Sequence, residues 1–264
     1  MLGTSREALA ALESKAAGLD VSVAGDLLAA AAVFGTDRAL RVAVVDSGQA
    51  AEARENFVRD LFGSRLSSAA VEVIAAACSR RWASADDLAP ALESVAAGLV
   101  FAAAAKSGEL DAMEEELFRF ARAADANPEL QMALTNPATG PEVKAGIVKD
   151  LLAGKAHEGT VALVAHAAAN LRGRRVDVAL QSISELAAAA RNRMVAQVRV
   201  AVELTTEQRQ RLAAVLGRLA GREVSLNVVV DPNVVGGVSV RLGDELIDGS
   251  VRTRLDQARR ALVG

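Results

Sequence analysis

An internal repeat limits the architectures open to this chain. Sliding the sequence along itself gives a gap-free match at an offset of 90 residues, pairing Leu27 with Leu117, Leu40 with Leu130, Glu52 with Glu142 and Val58 with Val148. Asp60-Leu61 falls on Asp150-Leu151, Val71 on Val161 and Asp87 on Asp177, while Asp26/Glu116, Asp46/Asn136, Arg54/Lys144 and Arg59/Lys149 pair conservatively in the same register. Alanine matches carry little weight in a chain with 57 alanines. Pairs of other residue types in one register argue for duplication over shared helical periodicity alone.

Alanine also marks a boundary, because 51 of the 57 lie in residues 1–200 and 6 in the last 64. Alanine favours helix, losing no side-chain entropy there, whereas the valine-rich end suits strands. Apolar stripes place the helices. Leu88, Leu92, Val95 and Leu99 share one face, with Asp86 as a cap and Pro90 confined to the first turn. Leu110, Met113, Leu117 and Phe120 mark the next, ended by Asn127-Pro128. A helix from Pro141 to about Leu152 follows, then one on Val161, Val164, Ala168 and Leu171, then a long one carrying Val176, Leu180, Ile183, Ala187, Ala190 and Met194. The first copy predicts matching helices over 5–18, 21–35, 50–62 and 67–82, and the helix at 86–106 serves both copies. Two fused bundles sharing one helix are therefore expected over 1–195, with an extra repeat over 1–85 and a second bundle over 86–195.

From 196 the pattern changes. Ala196, Val198, Val200, Val202 and Leu204 alternate with polar residues, the signature of a strand with one buried face. Thr205 and Gln208 form a capping box before a helix on Leu212, Val215, Leu216 and Leu219, and Val224, Leu226, Val228 and Val230 alternate again. Strand, helix and strand read as a crossover unit. Further strands are expected at Val238–Leu242 and Glu245–Ile247, with Asp248-Gly249-Ser250 leading into a final helix. The fold class is thus mainly α: duplicated helical bundles, then a small α/β domain with a mixed sheet over 196–264.

Several chemistries lack support. A net charge of −3, 6 Phe, 1 Trp and no Tyr do not suit a nucleic-acid binder. The lone Cys78 permits no internal disulfide and lies on the stripe Val71, Ile74, Cys78, as a buried structural thiol would. His157 and His166 lack a metal-ligand spacing, and Gly236-Gly237 lacks the Lys-Ser/Thr of a phosphate loop. Asp244, Glu245 and Asp248 read as turn carboxylates, and Glu114-Glu115-Glu116 as a solvated helix face. The longest uncharged apolar stretches, Ser94–Ala105 and Gly159–Leu171, fall short of the ~20 residues a membrane-crossing helix needs. The N-terminus lacks a signal-peptide core. No membrane insertion, cofactor, metal or catalytic residue is expected.

The run VDPNVVGGVSVRLGDELIDGSVRTRL, residues 230–255, resembles the signature of the delta subunit of bacterial F-type ATP synthases, called the oligomycin-sensitivity-conferring protein in mitochondria. Asp231, Pro232, Gly236, Gly237, Gly243, Asp248, Gly249 and Ser250 match its pattern. The resemblance runs upstream through Asn136-Pro137 and Lys144 to about residue 86. Residues 1–85 precede the family's ordinary start, as in the lengthened delta subunits of actinobacteria.

What the resemblance implies is a non-catalytic stator role. The helical domain would receive the N-terminal helix of an alpha subunit, and the C-terminal domain the end of a b-type stalk subunit. One copy per complex would sit at the cytoplasmic face of the bacterial cell membrane, with no nucleic-acid partner. By resemblance, the alpha groove lies between the helix of Leu92, Val95 and Leu99 and that of Val161, Val164 and Ala168. A groove floor and a core look alike in sequence, so both readings of these six stand. The stripe Val71, Ile74, Cys78 motivates a second groove in the first copy. The competing classes are a free-standing helical adaptor that kept the fold and an enzyme using Asp231, Asp248 and Arg241.

Overall fold

The computed structural model describes residues 1–220, 223–231, 237–242 and 245–250. It divides into two compact units, Met1–Ala190 and Arg191–Gly264.

The first unit begins with α1 (Gly3–Ala16), α2 (Val23–Thr36), α3 (Arg38–Val45), α4 (Ala51–Phe62) and α5 (Ser68–Ser79). A 3-10 turn, Ala85–Asp87, opens α6 (Leu88–Ser107), followed by α7 (Leu110–Asp125), α8 (Pro128–Thr135), α9 (Pro141–Leu152), α10 (Glu158–Ala169) and α11 (Val176–Asn192). Adding ninety to the bounds of α3, α4 and α5 gives those of α8, α9 and α10, residue for residue. The local devices recur too. Asp37 Oδ1 accepts the Leu40 N–H at 2.9 Å, and Asn127 Oδ1 accepts that of Leu130 at 3.1 Å. Asp46 and Asn136 each close a turn onto a backbone N–H two residues on, both at 2.9 Å. Buried positions match as well: Leu27 and Leu117, Val44 and Leu134, Val58 and Val148, Arg54 and Lys144. The repeat in sequence is a repeat of caps and cores.

α3 and α8 are the elements the periodicity passes over. Asn127 does not simply end a helix: α7 stops at Asp125, and the Asn127 carboxamide starts another, as the Asp37 carboxylate does for α3. Near α6 the cap is Ser84, whose Oγ accepts the Asp86 N–H at 3.2 Å, while the Asp86 carboxylate meets Arg41 at 2.7 Å instead. Gly108, with φ 78°, ends α6 in the left-handed conformation, and Glu109 N–H reaches back to the Ala104 carbonyl at 2.8 Å.

α6 packs against α1, α2 and α5 from the first copy and α7 and α10 from the second, so one apolar core runs through both. The segment Ala85–Ser107 has the length and composition to cross a membrane. A search for uncharged runs misses it because Glu93 interrupts it. Within the protein that apolar length is largely buried against the surrounding helices, Leu88, Leu92 and Phe101 completely.

The second unit holds β1 (Arg193–Val200), α12 (Thr206–Ala220), β2 (Glu223–Val230), β3 (Gly237–Leu242) and β4 (Glu245–Ser250), in the sheet order β2-β1-β3-β4. β1 and β2 are parallel, joined through α12, and the other pairings are antiparallel. The capping box forms as read: Thr205 N–H donates to Gln208 Oε1 at 2.9 Å, and Gln208 N–H to Thr205 Oγ1 at 3.2 Å. Ala196, Val198, Val200, Leu216, Val224 and Val240 form a small core. Three expectations shift here, the first being that the strand read through Val202 and Leu204 ends at Val200. Met194 belongs to β1, paired with Val224, because the chain passes straight from α11 into the strand. Asp248-Gly249-Ser250 continue β4 through pairing with β3, and the final helix lies outside the described residues.

Candidate functional site

Five of the six residues expected to floor a groove are buried by the chain itself. Leu92, Val95 and Leu99 are 0, 2 and 7% exposed, Val164 and Ala168 1 and 4%, and Val161 is half-buried against the core. The first-copy stripe Val71, Ile74 and Cys78 is closed as well. These side chains pack into the core that the helices share.

An open cleft lies beside them, on adjacent faces of the same two helices. Pro90, Glu93, Ser94 and Ala97 of α6 face Leu163, His166 and Ala167 of α10 across it. Ala179, Ser182, Ile183 and Leu186 of α11 supply a further wall, Leu28 of α2 closes it from the first copy, and Arg174 stands at its edge. Its volume is about 190 Å³.

The polar end of the cleft is an ion-pair cluster. Arg172 grips Glu93 with both terminal nitrogens, Nη1 to Oε1 at 2.7 Å and Nη2 to Oε2 at 2.6 Å. Arg172 has φ 50°, unusual for a side chain with a Cβ, in the α10–α11 loop that turns its guanidinium back onto α6. His166 Nε2 lies 2.9 Å from Glu93 Oε1, while Asn170 Nδ2 donates to the His166 carbonyl at 2.9 Å and approaches its Nδ1 at 3.4 Å. Burial works to raise the Glu93 pKa, but the hydrogen bonds from His166 and Arg172 overcome it and leave the carboxyl at about 2. Arg174 Nη2 is 3.9 Å from Glu93 Oε2, and burial, with Arg172 beside it, pulls its pKa below the ordinary value. This cluster escaped the sequence reading, yet it left a signal: Glu93 is the one charge in α6 between Leu88 and Ala105.

The remaining candidates are scattered. His157 pairs with Glu109 at 3.2 Å, so the two histidines serve different carboxylates. Among the described residues no group of three His, Cys, Asp or Glu side chains is placed to hold a metal. In the sheet unit, Asp231 N–H extends the β1–β2 ladder to the Val200 carbonyl at 2.9 Å. Four signature residues, Gly237, Asp248, Gly249 and Ser250, lie in the β3–β4 pairing, with Gly237 opposite Ser250, Val238 opposite Gly249 and Ser239 opposite Asp248. Arg241 sits opposite Leu246, two positions along β3 from the Ser239–Asp248 pair. Pro232, Gly236 and Gly243 lie outside the described residues.

The fold and site are thus a helical protein with an apolar cleft ended by an ion-pair cluster, followed by a small mixed sheet. The family model for the ATP synthase delta (OSCP) subunit matches residues 95–262. The ATP synthase subunit delta of Kineococcus radiotolerans is 40% identical over 99% of this chain and 98% of its own length. That of Streptomyces avermitilis is 39% identical over 98% of each, and that of Parafrankia sp. 41% identical over 91% of this chain and 86% of its own. The chain belongs to the ATP synthase delta (OSCP) subunit family. It is a peripheral-stalk subunit of the membrane-bound synthase, non-catalytic, which removes the enzyme reading of Asp231, Asp248 and Arg241. The near-full-length matches include the first copy, which the family model leaves out.

Proposed function

We propose that the protein ties the catalytic head to the stalk at the cytoplasmic face of the cell membrane, one copy per complex. The helical unit holds the N-terminal helix of an alpha subunit, and the sheet unit holds the end of a b-type subunit. The observation that carries the first half is the cleft between α6, α10 and α11, which has apolar walls and lies against the helices named by the family resemblance. A helix laid in such a cleft anchors through side chains one turn apart. Its small volume decides between occupants: sites for small molecules run to about 300–1,000 Å³, so about 190 Å³ suits anchoring side chains better than a free ligand. A stalk must resist torque without slipping, and nanomolar binding, about −12 kcal/mol, is within reach of one well-packed interface.

The reading of 1–85 as an extra copy of the helical domain, sharing the helix at 86–106, rests on the recurrence of helix bounds and caps at ninety residues. Calorimetric titration of the full chain with a synthetic alpha N-terminal helix tests the docking. Saturation at one equivalent, abolished by Ser94→Phe at the cleft, is the expected result. Absence of binding would remove the reading, and saturation at two would place a second groove on the first copy.

A further inference from the structure

The charges around the cleft do not cancel. Of the residues lining it, Glu93, His166 and Arg174 are ionisable, and Arg172 joins them from the loop. Both oxygens of the Glu93 carboxylate are engaged, taking two hydrogen bonds from the Arg172 cation, with His166 Nε2 2.9 Å from Oε1. One anion thus meets two cations. The surplus belongs to Arg174, whose Nε donates to the Leu171 carbonyl at 3.2 Å and whose terminal nitrogen stands 3.9 Å from Glu93, beyond hydrogen-bond reach. A third of this side chain is open to solvent.

We propose that the helix seated in this cleft presents a carboxylate to Arg174. This rests on the cleft being the docking site argued above, and it specifies the chemistry of the occupant. The guanidinium fork matches a carboxylate in two parallel hydrogen bonds, so one acidic side chain would fix the rotation and register of the incoming helix. Apolar side chains three and four residues from that acid lie on the same helix face and meet Pro90 and Leu186, the half-buried apolar residues of the lining. The occupant is therefore an amphipathic helix with an acid set within its apolar stripe. Leu28 makes the first copy part of the wall that receives it.

The test uses the full chain and synthetic peptides of the alpha-subunit N-terminal helix from the same genome, each Asp or Glu changed singly to its amide. Arg174→Gln is expected to weaken binding about ten- to a hundredfold, the range for hydrogen bonds to charged groups, and Arg174→Lys less. One amide peptide should lose as much against the native chain and lose nothing further against Arg174→Gln. Far-UV circular dichroism verifies that the variant keeps its helices. Unchanged affinity of Arg174→Gln, or losses that add for every acid, would overturn the proposal while leaving the docking site standing. No binding of the unmodified peptide would instead overturn the docking site itself, and this inference with it.

Discussion

Asp26 Oδ2 accepts the backbone N–H of Ser67 at 2.9 Å, and Ser67 is the residue that caps α5. Ninety residues on, Glu116 Oε2 accepts the N–H of His157, at the head of α10, at 3.0 Å. A carboxylate on the second long helix of each copy thus tethers the start of the fifth. Glu116 does more, because the fully buried Thr160 hydroxyl donates to the same oxygen at 2.6 Å. Glu116→Gln is therefore expected to cost about 1–3 kcal/mol, and Asp26→Asn less, in urea unfolding at neutral pH. A larger loss from Asp26→Asn would contradict the assignment.

Gly159 shows where the copies part. A Cβ there would lie 2.6 Å from Val100 Cγ1 and 3.1 Å from Met113 Cε, so α10 approaches its neighbours too closely for alanine. The matching position in α5 is Ala69. Gly159→Ala should destabilise by about 1–3 kcal/mol through overpacking, outweighing a helix-propensity gain of up to about 1 kcal/mol. Ala69→Gly should also destabilise, by about 0.5–1 kcal/mol. Thermal or urea melts of both variants measure the contrast.

The Glu93 cluster sets an acid-sensitive window. Its carboxyl lies at about 2 when folded against an ordinary 4.5. A depressed folded pKa stabilises the protein above the unfolded value and is lost as pH falls through the folded one. The stability advantage of the native chain over Glu93→Gln should be full above about pH 5 and shrink between about pH 4.5 and pH 2. Paired melts across that range check it. A constant difference would show that the Arg172 and His166 bonds do not hold the charge.

Burial pushes the Cys78 thiol up to about 12, outweighing the nearby Arg54. The thiolate is the reactive form, and the side chain is enclosed. Alkylation by iodoacetamide at pH 8 should be negligible for the folded chain and complete in urea, so labelling reports opening of the helical core. Rapid labelling of the native protein would refute the enclosure.

The longer helices, the strands of the sheet and the family are legible in the linear chain. Backbone propensity, capping side chains and apolar periodicity act over a few residues, so Thr205 with Gln208, Pro141 at its helix start and Gly108 past an end could be read directly. The repeat register even predicts equivalences of structure, because identical local interactions recur with identical spacing. α3 and α8 were missed for the opposite reason: eight residues are too few to show a period.

Only the tertiary structure decided which apolar faces close upon each other and which remain open. Leu92 and Pro90 are both apolar residues of one helix, yet Leu92 is sealed in the core while Pro90 is only half-buried at the cleft. That difference depends on α2 and α11, distant in sequence, and no local rule carries it. The same holds for Arg172, which gains its role by reaching a carboxylate 79 positions earlier in the chain. Local chemistry specifies the elements; packing specifies the surface left for a partner, because burial is a property of neighbours that the order of residues does not state.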